Sequence, residues 1–446
     1  MSASAAIEGS RPGRTVRESP VEIALLIMTA VGMTILPYVV VGRDRGVWQF
    51  GATLAFVDFA AFGLTALVGP RYLARLHRRE LHTVEWGGLA FFTILAATFT
   101  LHPSMRGLVL LGRFGACLAI ASYLTTTSNR NRLVLVRWLG IASVAQCVIA
   151  VLQRSTRAAL GLGFLGETLY PFRPGYPVPT GTMRDPYPLA GFGLFVAALF
   201  GICLLQGWIR GRFAWVVLVS GGVLTGLSGS RAAMITLALI VCSLVVSSPR
   251  RGAFASALIA VGFVACAIPS HQLWLGRTHV VTSKGTEDVS NGRSALTEQA
   301  TGLIRRNPLV GVGPGNYSTA VRAVPELAKK SPAGGILPVH NMPLMAVAES
   351  GALVVAPMLF VFAAVAHTAL RNRFRWLPAV ASIVPYLMLD LVFWFYPEGL
   401  LMIAIAIAFM HADWGDGRIP GPSEDAATCP VRSSVEAAEL AGVRQG

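Results

Sequence analysis

Apolar runs near 20 residues long follow one another through this 446-residue chain, at roughly 20–41, 48–69, 86–102, 106–126, 133–152, 188–207, 213–229, 231–248, 253–269, 340–366, 377–395 and 397–411. A helix of about 20 mostly apolar residues crosses the hydrocarbon of a bilayer. Hydrophobic residues make up 54% of the chain and charged residues 13%, against about 25% charged in a soluble domain. The expected fold is therefore an all-α polytopic membrane protein with about 12 transmembrane helices. The formal charge is +15, and all but three of the 37 cations are Arg. In a membrane chain such charge first sets topology and meets anionic lipid. The aromatics lie in apolar runs and not among basic residues, so no nucleic-acid partner is expected.

The short loops give an orientation. Arg71, Arg75, Arg78 and Arg79 fall in one; Arg130, Arg132 and Arg137 in another; then Arg210 and Arg212, Arg250 and Arg251, and Arg371, Arg373 and Arg375. Every second short loop is basic, which places these loops and both termini in the cytoplasm. Residues 1–19 form a cytoplasmic tail, 20–411 the membrane domain, and 412–446 a polar cytoplasmic tail expected to be disordered. The apolar run after residue 20 is too long for a signal-peptide core and reads as a retained first span.

Two loops are long, 153–187 and 270–339, and the topology places both outside. Loops of that length are uncommon unless functional. The larger lies between the ninth and tenth spans. Within it Leu296, Ala300, Leu303 and Ile304 recur at helical spacing, an amphipathic helix that Asn307–Pro308 would stop. Cys117, Cys147, Cys203, Cys242 and Cys266 lie in apolar runs and Cys429 in the tail, without metal-site spacing. No resident metal or cofactor is expected.

The outer loops carry arginines that topology does not require: Arg154, Arg157, Arg173, Arg184, Arg277, Arg293, Arg305, Arg306 and Arg322. Guanidinium forks match phosphate oxygens, although a single loop Arg is more often simply solvated. Arg231, in "GLSGSRAAMITLAL", sits between two apolar runs with almost no loop. It either faces a cavity or partner, or snorkels to the interface. His340 opens the tenth run after Pro338, where a helix N-terminus would keep the imidazole neutral and able to act as a base. Glu349 is nine residues further along, on the opposite helix face and about 13 Å away on a straight helix. It is expected to pair with a cation on another span, with Arg231 one candidate, or to stay neutral. Asp58 and Asp390 are further intramembrane carboxylates, functional or hydrogen-bonded between helices. Asp390, His102 and Glu398 lie near outer ends of their spans. "GVGPGNY" at 311–317 follows a helix pattern and not a strand, so it reads as a tight turn and not a nucleotide fingerprint.

"SGSRAA" at 228–233, "NGRSALTEQATGLIRRNPLVGVGPGNY" at 291–317 and "HNMPLMAVAESG" at 340–351, in this order, resemble the O-antigen ligase and O-antigen polymerase superfamily. "RPGYPVPTGTMRDPYPLAG" at 173–191 is similar to its earlier outer loop. The chain departs from the pattern in lacking an aromatic after Arg293 and in having Tyr187 where Asn is common. The resemblance implies a GT-C-like glycosyltransferase that takes a glycan from a polyprenyl-pyrophosphate donor to a glycan or lipid-glycan acceptor, outside the inner membrane. It implies His340 as the catalytic base and Arg231 and Arg293 on the pyrophosphate. Arg184, Arg173, Asn341, Glu349 and Asp390 are candidate supporting residues. Chemistry agrees: arginines can neutralise a pyrophosphate leaving group, and a base on the opposite sugar face gives inverting displacement. No acidic cage appears in the outer loops, so metal-independent transfer is expected. A polymerase of the same superfamily is the alternative, and a transporter or flippase the alternative from another class, though no repeated halves are seen.

Overall fold

The computed structural model describes residues 19–35, 38–42, 52–167, 169–170, 178–270, 293–329, 331, 336–372, 375–389 and 396–414. Arg173, Arg277, Lys284, Asp390, Cys429 and almost all of both tails lie outside the described residues.

The architecture is helical. In chain order the elements are α1 (Pro20–Gly32), β1 (Tyr38–Gly42), β2 (Ala52–Ala55), α2 (Phe56–His77), α3 (Thr83–Leu101), α4 (Met105–Thr126) and α5 (Asn129–Thr156). Short strands β3 (Leu169–Tyr170) and β4 (Val178–Pro179) precede α6 (Pro186–Gln206), α7 (Arg212–Ser228), α8 (Arg231–Ser247) and α9 (Pro249–Ala267). Then come α10 (Arg293–Arg306), α11 (Tyr317–Ala323), α12 (Pro325–Ala328), α13 (Met342–Ser350), α14 (Val355–Arg371), α15 (Leu377–Leu389) and α16 (Pro397–His411).

A helix falls on each apolar run, but the lengths differ from expectation. Among the described residues six helices are long and apolar enough to cross a membrane: α3, α4, α5, α6, α9 and the stretch Ala352–Arg371. Helices α1, α7, α8, α15 and α16 are apolar but shorter. The expected first span at 20–41 is helical only to Gly32, and the second begins at Phe56 and not at 48. Between them β1 and β2 pair antiparallel, Tyr38 opposite Ala55 and Val40 opposite Thr53. Aromatic and β-branched residues such as Tyr38 and Val39–Val41 favour strands, so strand pairing competes with helix here. The expected span 340–366 is broken as well. Helix α13 ends at Gly351, whose φ of 71° is left-handed, and Ala352 donates to the Pro308 carbonyl at 2.8 Å.

Packing separates a main core from an outer layer. The main core buries α6 almost entirely, between α5, α7 and α8. α7 lies against α9 at backbone distance. A methyl on Gly222 would overlap the Ile259 carbonyl, and one on Gly226 would come within 2.8 Å of the Phe263 carbonyl. Small residues four apart allow this close approach between membrane helices. A second core joins Leu296, Ala300 and Leu303 of α10 to Tyr317, Val321, Val339 and Met345. Phe91 and Leu95 of α3, Leu110 of α4 and Leu400 of α16 complete it. The loop helix anticipated from its periodicity thus lies against α13 and the short helices α11 and α12.

The contacts sort the chain into two ends. At one, Arg71 pairs with Glu22 at 2.7 Å, Arg75 with Glu85 at 2.9 Å, and Arg251 donates to the Leu205 carbonyl at 3.3 Å. Arg132 donates to the carbonyls of Leu124, Thr125 and Asp413 and lies over the Trp414 ring. At the other end Ser104 donates to the Pro314 carbonyl at 3.0 Å and Asn316 to His102 at 2.9 Å. The basic short loops are at the first end, and the loop helices are at the second.

Candidate functional site

The loop-bearing end gathers the candidate residues from separate elements. Asn341 caps α13: its Oδ1 accepts from the Leu344 N–H at 2.8 Å, and Pro343 lies in the first turn. His340 therefore lies one residue outside the helix and not in its first turn, which corrects the expected position. The helix N-terminus is not what sets the imidazole. Burial lowers its pKa first, the Arg293 guanidinium lowers it further, and the Pro338 carbonyl opposes them weakly, leaving it at about 4. The Nδ1 atom is buried and has no hydrogen-bond partner among the described residues. A ring that is neutral, with one nitrogen unsatisfied, can accept a proton.

Arg293 is the first residue of α10, half-buried, and no described group holds its guanidinium. Its charge reaches His340 across 47 residues of sequence. Arg231 opens α8 after the Ser228–Ser230 turn. Gly229 there has a φ of 60°, Ser230 Oγ caps the Ala233 N–H at 3.2 Å, and the Ser230 N–H donates to Ser228 Oγ at 3.1 Å. The Arg231 side chain is exposed and has no partner among the described residues. Helices α8 and α15 pack together. They run in opposite directions, because the start of α15 adjoins the Trp208–Trp414 stack while the end of α8 adjoins α9 at the same basic end. The start of α8 therefore meets the end of α15, where the Met388 carbonyl accepts from Asn341 Nδ2 at 3.2 Å. Arg231, Asn341, His340 and Arg293 share one rim.

Glu349 lies at the far end of α13 from His340. It is buried, and its Oε1 accepts weakly from the Tyr317 N–H at 3.4 Å. Backbone bonds beside it hold the glycine turn: Val312 donates to Ala348 at 3.1 Å and Gly313 to Glu349 at 2.7 Å. Gly311, Gly313 and Gly315 all have positive φ, and a Cβ on Gly311 would overlap the Glu349 backbone. This end of α13 faces the turn that follows α10, not Arg231.

Arg184 ends a buried non-helical segment. Its φ of 65° is left-handed, a costly conformation for a side-chain-bearing residue. Burial pulls its guanidinium below the ordinary range, while Tyr396 and Asp185 lie close enough to oppose this. The preceding Thr180–Met183 is held by two glutamines of α5. Gln153 Oε1 accepts from Thr180 and Gly181 at 3.2 and 2.9 Å, and its Nε2 donates to Glu167 at 2.7 Å. Gln146 Oε1 accepts from the Thr182 N–H at 2.9 Å and its Nε2 donates to Thr182 Oγ1 at 2.7 Å. Burial works to raise the Glu167 carboxyl, but hydrogen bonds from Leu160, Gln153 and Leu162 outweigh it and leave it below the usual range. Irregular backbone at this depth needs its polar groups satisfied by protein. These glutamines carry no sequence signal except that amides are rare within an apolar run.

Asp58 is paired. Arg113 forks onto it, Nε to Oδ1 at 2.8 Å and Nη2 to Oδ2 at 2.7 Å, with both side chains buried. Arg113, inside α4, was not foreseen. Glu398, in the first turn of α16, is buried with no partner for either oxygen among the described residues, within electrostatic reach of Arg113 and Asp58.

A sequence model of the O-antigen ligase family matches residues 215–359. Over these residues the chain is similar to that family. The matched stretch runs from within α7 to within α14, so Arg231, Arg293, His340, Asn341 and Glu349 all lie inside it. Arg184, the two glutamines and the Asp58–Arg113 pair lie before it in sequence. Glu398 follows it. No curated protein matches the chain. Among the described residues six helices are long and apolar enough to cross a membrane, and the stretch similar to the O-antigen ligase family lies among them.

Proposed function

We propose that the chain is a glycosyltransferase that moves a glycan from a polyprenyl-pyrophosphate donor to an acceptor hydroxyl on the outer face of the inner membrane. The observation that carries this is a neutral, unsatisfied imidazole beside a guanidinium with no described partner, His340 and Arg293, within the stretch similar to the O-antigen ligase family. Arg293 and Arg231 bind the pyrophosphate and stabilise the negative charge that grows on it as the glycosidic bond breaks. Neutral His340 takes the proton of the acceptor hydroxyl as that oxygen attacks the anomeric carbon from the opposite face. The outcome is inversion, without need of a metal. Arg184 supplies a third guanidinium, and Asn341 fixes the backbone on which His340 stands. Asp390 and Arg173 are assigned supporting roles from sequence alone.

The basic end is the cytoplasmic end, by the rule that cytoplasmic loops retain Arg and Lys. The rim is then external, as the donor requires. The test is purified protein supplied with polyprenyl-pyrophosphate glycan and candidate acceptors, with products sized. A single addition per acceptor is the expected, ligase-type result, and a ladder would make the chain a polymerase of the same superfamily. No transfer to any acceptor, with donor binding absent as well, would overturn the reading.

A further inference from the structure

Glu398, in the first turn of α16, has no task in the proposed mechanism. The residue is 0% exposed, and neither carboxyl oxygen has a hydrogen-bond partner among the described residues. An ionised carboxylate is not tolerated in such surroundings without a counter-charge or donors. Helix α16 ends at His411, whose ring lies 5.9 Å from that of His82 at the basic end. Glu398, at the other end of the helix, therefore lies toward the rim. Tyr396, two residues before it, is close enough to Arg184 to act on its charge.

Arg113 of α4 and Asp58 of α2 are the charged groups that act on Glu398. They are already committed to each other. Asp58 Oδ1 accepts from Arg113 Nε at 2.8 Å, and Oδ2 accepts from Arg113 Nη2 and from the Ala55 N–H, both at 2.7 Å. Helices α6 and α15, which also pack on α16, carry no charged residue. Of the remaining charged groups on α2, α4 and α14, Arg106 lies against Gly315, while Arg71, Arg75, His77, His367 and Arg371 lie at the basic end. The cysteines and tyrosines on these helices are uncharged at neutral pH. One guanidinium between two ionised carboxylates would leave a buried net negative charge. A metal cation would need about six oxygens to balance it. Both Asp58 oxygens are taken, which leaves the two of Glu398. A proton needs one.

We propose that Glu398 is a proton-binding site, kept in its protonated form by the Asp58–Arg113 pair. While Asp58 neutralises Arg113, an ionised Glu398 has no counter-charge, so the proton stays. Where Asp58 is neutral, the Arg113 charge acts on Glu398 alone and the proton leaves to water. The site does not depend on the proposed activity. Its place in the fold gives it a consequence. Arg113 Nη2 also donates to the Thr53 carbonyl at 2.6 Å, so a second carboxylate competing for this guanidinium would strain the bond that ties β2 to α4.

The test uses the full chain in mild detergent, with infrared spectra at neutral pH. A protonated carboxyl has a carbonyl band apart from the amide and carboxylate bands, and solvated acids are ionised there and do not contribute to it. Subtracting the Glu398→Gln spectrum from that of the parent should leave this band. Subtracting the Asp58→Asn spectrum should leave it too, although Glu398 is still present, because Arg113 then has no other carboxylate. Thermal stability gives a second readout. Above the ordinary glutamate value of about 4.3 the folded chain keeps a proton that the unfolded chain releases, so this group lowers the stability of the parent progressively as pH rises. The melting temperature of Glu398→Gln relative to the parent should therefore rise between about pH 5 and 8, whatever constant cost the buried amide adds. No band in the parent-minus-Glu398→Gln difference, or a relative melting temperature that stays level or falls with pH, would overturn the proton site. A band that survives undiminished in Asp58→Asn would overturn the role of the pair.

Discussion

At the scale of single residues, the most informative group is His340. Its environment, more than its place before α13, keeps the ring neutral: burial and the Arg293 charge lower its pKa to about 4 against an ordinary 6.5. In the proposed mechanism the neutral ring is the active form, so the transfer rate should stay level as pH falls from 7.5 to about 5 and drop only toward 4. Stability has the same root. Below pH 6.5 the unfolded chain binds a proton at this residue that the folded chain refuses, so His340 destabilises the fold progressively down to about pH 4. His340→Gln should lose about 10²–10⁴-fold in rate while showing a smaller loss of thermal stability between pH 6.5 and 4.5. Rate and melting profiles over this range, parent against variant, check both. A parental rate in the Gln variant would leave His340 with a positioning role. Arg231 and Arg293 make a separate prediction. Lys at either position keeps the charge but loses the planar fork, so donor use should recover poorly compared with Ala. Full activity of Arg231→Lys would remove the bidentate role.

At the scale of elements, two polar arrangements hold irregular or charged segments inside apolar surroundings. The Asp58–Arg113 pair joins α2 to α4, and the Arg113 Nη2 also donates to the Thr53 carbonyl within β2 at 2.6 Å. Removing one partner of a buried pair strands the other. Arg113→Met should therefore cost about 3–5 kcal/mol, while Asp58→Leu combined with Arg113→Met should recover most of it. Melting temperatures of the two singles and the double measure the coupling, and additive losses would show that the pair is independent of burial. The second arrangement is Gln153, which satisfies the Thr180 and Gly181 N–H groups and Glu167 together. Gln153→Leu leaves these buried groups unpaired, at about 1–3 kcal/mol each. The segment that ends at Arg184 should loosen, read as faster trypsin cleavage at Arg184 and a lower transfer rate. Unchanged cleavage would mean that Gln146 and the β3–β4 pair suffice.

At the scale of the whole molecule, the described contacts assign every turn to one of two ends, and the basic short loops share one of them. Charge then gives the expected orientation. Phe164→Cys at the loop-bearing end and Arg250→Cys at the basic end, each in a background freed of native cysteines, should label oppositely with an impermeant maleimide on intact cells. Phe164 is 71% exposed, so access to reagent is not limiting. Labelling of Arg250→Cys but not Phe164→Cys before permeabilisation would place the rim in the cytoplasm and remove the lipid-linked donor from reach.

What could be determined from sequence is what is local. Apolar runs place helices because length and hydropathy are summed over neighbours, and basic loops yield an expected sidedness for the same reason. The period of Leu296, Ala300 and Leu303 defined α10, whose buried stripe it is. Partners were not local, and only the tertiary structure decided them. Asp58 meets Arg113, 55 residues on, and His340 meets Arg293. Glu349 faces the turn at 311–317 and not Arg231. The hairpin at 38–55 displaced two expected span boundaries, because strand pairing is won between segments and not within one. The break at Gly351 divided an apolar run that composition alone joins, since Ala352 finds its acceptor at Pro308. Burial and charge contact depend on which distant side chains share a space, and it is these that keep a histidine at the edge of an apolar run neutral.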